Sequence, residues 1–452
     1  MQSSFPLQYF SIEKLFGKYN IHIDFDKVNI FVGDNGIGKT TVLSCIYYVL
    51  AGKLDKLTDI QFDNIKLRYE NKDYTINREK ILARRYRYSY ISGDYPEPIQ
   101  RDIQRIKRTY LVKHKKKISI QSFLHIEKEI SPYVHRVLRF MPQEKLYSIL
   151  KEELGFSQDL VPNFSEYDIL YFPTYRRIEE DFSNIFERSY YRNMGDEKYI
   201  RFETANKEVS RFIAGDSLIQ FGMDDVERAI NNILDELKKL AVAGFQNFTK
   251  KLFTRLFANE LPRPPIKYTN DDIHNLSIII ERLNLSISQE QQSNVLENIK
   301  KPDFLNDYHN FFIRNLLDIY SSQKEYDTAI RAFAETCTSY FEDKKYIYNE
   351  SNMELEIRNS ANEVIALSQL SSGEKQIVSL FSKIFLTSLE KKKIVLFDEP
   401  ELSLSVFWQK KLLPDIMNSG RCAFMVAVTH SPFIFENDLR DYASALHRET
   451  SK

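Results

Sequence analysis

Residues 33–41 read Gly33-Asp34-Asn35-Gly36-Ile37-Gly38-Lys39-Thr40-Thr41, which matches every fixed position of the pattern G-x-x-x-x-G-K-[ST]. The apolar residues 28–32 before it are typical of a buried strand, and the largely apolar residues 41–50 after it predict a helix. Strand, glycine-rich loop and helix form the context in which this pattern binds phosphate. The alternative is a glycine-rich turn that holds no nucleotide, and the context favours the nucleotide.

The chemistry of this loop depends on its backbone. The glycines let N–H groups turn towards phosphate oxygens, and the N-terminus of the following helix adds a partial positive charge. We expect Lys39 to reach the β- and γ-phosphates of a nucleoside triphosphate and the Thr40 hydroxyl to ligate Mg²⁺. The predicted nucleotide-binding residues of the loop are Gly33, Asn35, Gly36, Gly38, Lys39, Thr40 and Thr41.

Composition excludes several classes of protein. The 452 residues include 63 Lys or Arg and 63 Asp or Glu, so no overall charge points to nucleic acid or membrane. The three cysteines are scattered and show neither a metal spacing nor a disulfide framework. The N-terminus does not resemble a signal peptide, and no apolar run approaches the ~20 residues of a membrane span. We expect a soluble cytoplasmic protein without a membrane partner.

One segment, residues 78–117, is strongly basic. It contains thirteen Lys or Arg against four Asp or Glu, with five tyrosines interleaved. Basic side chains attract phosphodiester backbones, and aromatic rings stack on bases. Three interpretations stay open: a nucleic-acid site, a surface that docks an acidic protein, and a plain solvated face.

A second group of polar residues follows apolar runs near the end of the chain. Residues 393–397 lead into Asp398 and Glu399, which predicts a buried parallel strand with two carboxylates at its carboxyl end. Asp398 suits the Mg²⁺ shell, and Glu399 suits a general base that polarises the attacking water. His430 follows the apolar run 423–429 and is either structural or a hydrogen-bond donor to the γ-phosphate. The phosphate loop, the serine-glycine turn and the Asp-Glu strand that precede it in the chain favour the second interpretation.

Four motifs in this order resemble those of ABC-type ATPases. The loop 33–41 resembles Walker A, residues 370–374 (Leu-Ser-Ser-Gly-Glu) the signature, residues 398–400 Walker B, and His430 the switch histidine. The large helical insert between the two halves resembles the SMC, RecF and OLD-like branch rather than transporter ATPases. Three segments also look like the stand-alone ATPases of anti-phage systems such as Septu, PARIS and some retrons, namely residues 171–179, 221–226 and 398–404.

The resemblance implies slow ATP hydrolysis in a head-to-tail dimer or a higher oligomer of this chain. Each ATP would lie between the phosphate loop of one subunit and Ser371, Ser372 and Gly373 of the other. Residues 401–405 would form a loop that crosses the dimer interface. The chain departs from its relatives at Thr174, where they carry glutamine, and at Ser372, where the commoner signature has glycine.

The sequence also implies a separate effector. No TOPRIM, HNH or PD-(D/E)xK motif is recognisable, and 22 residues follow His430. We therefore expect that a nuclease, if the system has one, is another chain that this ATPase holds, releases or activates. Three alternatives remain: a repair or chromosome-maintenance ATPase that clamps DNA, a transporter subunit, and a scaffold that binds ATP with little turnover.

The predicted fold class is α/β: an ABC-type P-loop ATPase head, with a mixed sheet and an antiparallel β subdomain, that carries a large helical insert. We predict three parts. Residues 1–177 form the first half of the head with the basic segment, residues 178–343 form the insert, and residues 344–452 form the second half of the head.

Overall fold

The computed structural model describes residues 5–33, 38–83, 131–139, 160–173, 223–258, 268–283, 289–301 and 307–450, with the single residues 99, 102, 103, 106 and 146. Its strands are β1 (Leu7–Leu15), β2 (Tyr19–Asp24), β3 (Val28–Val32), β4 (Asn64–Tyr69), β5 (Lys72–Asn77), β6 (Tyr167–Phe172), β7 (Lys344–Asn349), β8 (Glu354–Asn359), β9 (Val364–Ile365), β10 (Lys392–Asp398), β11 (Cys422–Thr429), β12 (Ala443–Ala445) and β13 (Arg448–Thr450). Its α-helices are α1 (Lys39–Leu50), α2 (Ser131–Val137), α3 (Asp224–Ala258), α4 (Asn270–Arg282), α5 (Gln289–Ile299), α6 (Asp307–Thr338), α7 (Ser372–Phe385) and α8 (Val406–Asn418).

A five-stranded sheet in the order β12-β3-β11-β10-β6 organises the head, and each neighbouring pair in it is parallel. Successive side chains of a strand point to opposite faces, and both faces of this sheet are apolar. On β10, Ile394 and Leu396 face one core while Val395 and Phe397 face another. The sheet is therefore buried on both sides, as its continuous apolar runs predict.

The β-side core lies between the parallel sheet, α1 and an antiparallel sheet in the order β13-β2-β1-β4-β5. The sequence predicts a hairpin with a polar turn over residues 70–73, but the turn has only two residues. Tyr69 pairs with Lys72, and Glu70 and Asn71 have φ angles of 50° and 62°. Two successive residues with positive φ match the twist of the strands, which is why the tighter turn is favoured.

The helix-side core lies between the parallel sheet and helices α3, α6, α7 and α8. The apolar spacing predicts a helix over about 224–258, and helix α3 confirms it, since it occupies Asp224–Ala258. The sequence pattern of the insert predicts two helices, near 302–321 and 325–342, but this prediction is wrong, because α6 is continuous over Asp307–Thr338. The intervening residues are polar but include neither Gly nor Pro, so nothing in their backbone ends the helix.

The polar residues of α6 that interrupt its apolar pattern face a buried arginine. Arg282, at the end of α4, donates from Nη1 to Oε1 of Gln323 at 2.5 Å, from Nη2 to Oδ1 of Asp327 at 2.6 Å and from Nε to the Glu350 carbonyl at 2.9 Å. Tyr348 also donates to Asp327, and burial raises the pKa of Tyr348, which keeps its hydroxyl protonated. We call Arg282, Gln323 and Asp327 the polar layer.

The polar layer separates two hydrophobic cores along α6. Residues Leu316 and Ile319 belong to an outer helical core with α3, α4 and α5, whereas Ile330 and Phe333 belong to the helix-side core. The first half of α3 also packs into the helix-side core. The division of the chain at residues 177 and 343 stays a prediction, because residues 174–222 lie outside the described part.

None of the helices in the described part of the chain combines sufficient length with sufficient apolarity to cross a membrane.

We predict that Asp327→Ala lowers the free energy of unfolding by about 3–5 kcal/mol, because it leaves the buried guanidinium of Arg282 without its counter-charge. Urea denaturation followed by circular dichroism measures this loss. The matched control is Asp318→Ala on the exposed face of the same helix, with an expected change within about 0.5 kcal/mol. Equal losses in the two variants would contradict the assigned role of the polar layer.

Candidate nucleotide site

The phosphate loop joins the carboxyl end of β3 to the N-terminus of α1. The structure describes Gly33 and Gly38 at the two ends of the loop, whereas residues 34–37, which include the predicted ligands Asn35 and Gly36, lie outside the described residues. Gly38 has a φ of 92°, a left-handed conformation that glycine adopts at little cost. This conformation lets α1 begin at Lys39, so the helix N-terminus faces the loop.

Lys39 lies at the centre of the site. Its Nζ donates to the Gly33 carbonyl at 2.6 Å and lies 2.8 Å from Nε2 of His430. An ammonium group only donates, so Nε2 of His430 is the acceptor in this contact. The contact brings together two predicted residues that are 391 positions apart.

Thr40 and Asp398 form the pair that could hold a cation. The Thr40 hydroxyl donates to Oδ1 of Asp398 at 3.0 Å, so two oxygen ligands from α1 and β10 are adjacent. Within the described residues, no group of three His, Cys, Asp or Glu side chains has metal-binding geometry. Mg²⁺ commonly takes one or two protein oxygens and completes its shell with phosphate and water, so the Thr40–Asp398 pair fits Mg²⁺.

The orientation of α1 over the sheet depends on Tyr171 of β6. Its hydroxyl lies 3.3 Å from Oγ of Ser44, one helical turn beyond Thr40. Its ring stacks on Tyr47 with a centroid separation of 4.8 Å. Burial raises the pKa of Tyr171 to about 12, so its hydroxyl stays neutral. These contacts fix the first turns of α1 beside Asp398.

Glu399 occupies a bend at the end of β10. Its φ of 52° is left-handed, although it is not a glycine, and its N–H donates to the Val428 carbonyl at 2.8 Å. Its Oε1 lies 3.9 Å from Nε2 of His430. Strain of this kind costs of order 1–3 kcal/mol and clusters at functional sites. The bend turns the carboxylate away from the path of the strand and towards the histidine.

The turn that carries His430 is held by Glu401, a residue that we predicted only as part of the interface loop. The Glu401 carboxylate accepts from the N–H groups of His430 and Ser431 at 2.7 and 3.1 Å and from the Thr429 hydroxyl at 2.8 Å. The contact crosses 29 positions, and no local pattern in the sequence indicates it.

The signature turn forms a separate cluster at the N-terminus of α7. Ser371 caps the helix, and its own N–H donates to Oε2 of Glu374 at 2.7 Å. Glu374 also accepts from Lys344 at 3.0 Å. A Cβ on Gly373 would lie 2.9 Å from the Trp408 ring and 3.2 Å from the Ser403 carbonyl, so only glycine fits without displacing its neighbours.

The structure thus gathers most of the predicted site at the carboxyl edge of the parallel sheet. Gly33, Lys39, Asp398, Glu399 and His430 lie within a connected set of contacts. Thr40 joins them through Asp398, and Thr41 is the next residue of α1. The turn of Ser371, Ser372 and Gly373 lies apart from this set: Gly373 packs against α8 and the loop that precedes it, and the two serines are exposed.

Phe16 is a neighbour of the phosphate loop that the sequence analysis missed. It lies in the turn between β1 and β2 with a φ of 55°, and its side chain is 44% exposed. Gly38 packs against this ring, because a Cβ there would lie 3.0 Å from Cε2 of Phe16. An exposed aromatic ring therefore lies beside the N-terminus of α1.

Most of the basic segment and the residues after β6 lie outside the described part of the chain. Of the thirteen basic residues in 78–117, the structure describes Arg78 and Lys80. Arg78 donates to the Thr58 carbonyl at 2.9 Å. Asp102, one of the acids of the segment, is buried and pairs with Arg136 at 2.9 Å. Thr174 and residues 175–177 also lie outside the described residues.

Comparison with solved structures returns Smc head domains. One, with an extended coiled coil bound to the C-terminal domain of ScpA, is from Pyrococcus furiosus: identity is 12%, the match covers 99% of this chain and 97% of that chain, and the TM-score is 0.34. Another, with a coiled coil and joint, is from Pyrococcus yayanosii: identity is 14%, coverage is 96% and 93%, and the TM-score is 0.32. These TM-scores are too low to support an argument. No curated protein matches the chain significantly.

The family comparison is more informative. The family described as AAA ATPase domain (AAA_15) matches residues 14–435. Together with the parallel sheet, the antiparallel sheet and the described helices, this match confirms the predicted fold class, an ABC-type P-loop ATPase head. The prediction of a mixed sheet is wrong for the described residues, because every neighbouring pair of the central sheet is parallel. Because the match spans most of the chain, the protein belongs to the AAA ATPase domain family.

Proposed function

We propose that the protein hydrolyses ATP in a site that two copies share head to tail, and that this cycle controls a separate effector protein in anti-phage defence. The observation that carries the ATPase proposal is the contact set around Lys39. A helix N-terminus, a lysine, a hydroxyl–carboxylate pair, a strained glutamate and a histidine meet at one sheet edge. Each of these groups has a defined use in phosphoryl transfer.

The chain's own residues divide the work of the reaction. The N-terminus of α1 and Lys39 would hold the β- and γ-phosphates, and Thr40 and Asp398 would hold Mg²⁺. Bound Mg²⁺ neutralises charge on the phosphate oxygens. Glu399 would take the proton of the attacking water while the bond from the γ-phosphorus to the oxygen of departing ADP breaks. His430 would donate a hydrogen bond to the γ-phosphate after its ring leaves Lys39.

The position of the signature turn supports a shared site. Ser371, Ser372 and Gly373 lie at the N-terminus of α7, where backbone N–H groups favour an anion. Gly373 packs against α8 and its preceding loop, whereas Ser371 and Ser372 are exposed. A second copy could present this turn to the γ-phosphate. Val406 and Phe407, directly after residues 401–405, are 47% and 70% exposed and suit burial against that copy.

We predict that Glu399→Gln lowers kcat for ATP by about 10²–10⁴-fold without weakening ATP binding, because it removes the base and keeps the shape of the side chain. Lys39→Ala is expected to abolish ATP binding. Phosphate release and binding of a fluorescent ATP analogue measure the two effects. The isosteric control is Glu390→Gln on the exposed end of the segment after α7. A Glu399→Gln variant with wild-type turnover would remove the proposed base.

A second prediction concerns Phe16, whose exposed ring can stack on adenine. Stacking on an aromatic side chain contributes about 1–3 kcal/mol per base, so Phe16→Ala should raise KM for ATP about tenfold with little change in kcat. Hydrolysis of inorganic triphosphate provides the control, because that substrate has no base and should be unaffected. Equal effects on the two substrates would show that Phe16 supports the loop rather than the base.

The effector proposal draws on the resemblance of residues 171–179, 221–226 and 398–404 to stand-alone defence ATPases. A tagged Glu399→Gln protein, isolated with ATP from cells that carry the native gene neighbourhood, is expected to retain a nuclease-like partner at fixed stoichiometry. Lys39→Ala is the matched control that cannot hold ATP. Recovery of this chain alone with ATP-dependent, salt-sensitive DNA would instead support the DNA-clamping alternative.

A further inference from the structure

The loop that follows Glu399 and the turn that carries His430 are joined by two side chains. Glu401 accepts three hydrogen bonds from Thr429, His430 and Ser431. Two of the donors are backbone N–H groups of the turn itself, at 2.7 and 3.1 Å. An anionic acceptor makes such bonds roughly twice as strong as neutral ones. The first residue of the loop therefore determines the backbone path of the turn.

Gln409 of α8 adds a second connection. Its Nε2 donates to the Leu404 carbonyl at 2.9 Å, and its Oε1 accepts from the Ser431 hydroxyl at 2.6 Å. Glu401 thus links the beginning of the loop to the turn, and Gln409 links its end to the same turn. Because each side chain bridges the two segments, a displacement of residues 401–404 would carry residues 429–431 with it.

The backbone of residues 429–431 positions the imidazole of His430. The imidazole of His430 lies 2.8 Å from Lys39 and 3.9 Å from Glu399, and its side chain is 33% exposed. A partly exposed ring receives little support from packing, so its location depends on the backbone of residues 429–431. The Glu401 carboxylate supplies that support although it contacts none of the reacting groups.

We propose that Glu401 is a positioning residue that makes the loop 401–405 and the His430 turn move as one body. This inference rests on the proposed function, in which a second copy engages that loop. Engagement of the loop then sets the distance of His430 from Lys39 and Glu399, so hydrolysis is most efficient when the two copies are joined. Binding of the second copy would in this way alter the position of His430 through hydrogen bonds within one subunit.

Glu401→Ala tests the proposal. It is expected to lower kcat for ATP at least about tenfold, the scale of one lost charge-assisted hydrogen bond, with KM and the melting temperature close to wild type. Glu401→Gln is expected to restore kcat, because its amide oxygen can still accept from both N–H groups. Glu436→Ala, an exposed glutamate just beyond the turn, is the control. A wild-type kcat in Glu401→Ala would overturn the proposal, as would a folded variant whose affinity for ATP falls as much as its kcat.

A double variant shows whether Glu401 acts through the histidine. In a His430→Ala background, Glu401→Ala should cause no further loss of kcat, because residues that act as one unit are not additive. Additive losses would overturn the proposal. Should Glu401→Ala fail to fold, Gln409→Ala, which removes the second connection, must show the same selective loss of kcat. If Glu399→Gln abolishes turnover while Glu401→Ala does not, only the positioning role fails and the ATPase proposal stands.

Discussion

Parallel pairing of β3, β11 and β10 is the constraint on which the site depends. Val32 pairs with Thr429, and Val428 pairs with Asp398, so the three strands end at the same level. Parallel strands place all their carboxyl ends at one edge, where α/β sheets bind ligands. The phosphate loop, the two carboxylates and the histidine meet there for that reason. Two hydrophobic cores bury the two faces of the sheet that ends at this edge.

The signature turn, residues 371–373, contacts a different part of the head. Gly373 contacts Trp408 and the Ser403 carbonyl, and Glu374 pairs with Lys344 of β7. Tyr340, just beyond α6, packs edge-on against Trp408 with a centroid separation of 5.8 Å. The turn is thus attached to the helical side of the head, whereas Lys39 belongs to the side that α1 covers. The proposed shared site would unite the two sets of residues without any rearrangement of the cores.

Sequence reasoning anticipated the location of residues that belong to short patterns. Lys39 and Thr40 begin α1 and Asp398 ends β10, as their patterns predict, and Thr40 contacts Asp398. Their roles towards phosphate and Mg²⁺ stay predictions. Sequence reasoning failed where the deciding contact is distant. The pattern predicts two helices where α6 is continuous, and Arg282 of another helix binds the polar residues Gln323 and Asp327 of α6 inside the protein. The role of Glu401 likewise depends on a turn 28–30 residues away, which no periodicity reports.

The central claim is that one ATP site is built from two subunits, and mixing two inactive variants tests it most directly. Lys39→Ala removes the phosphate-loop half of a site, and Ser371→Arg blocks the signature half. A mixed dimer would hold one intact site, so an equimolar mixture is predicted to regain up to about a quarter of wild-type ATPase activity, since random pairing makes half of the dimers mixed. Full activity of Ser371→Arg alone, or no recovery in a mixture shown to contain mixed dimers, would contradict a shared site.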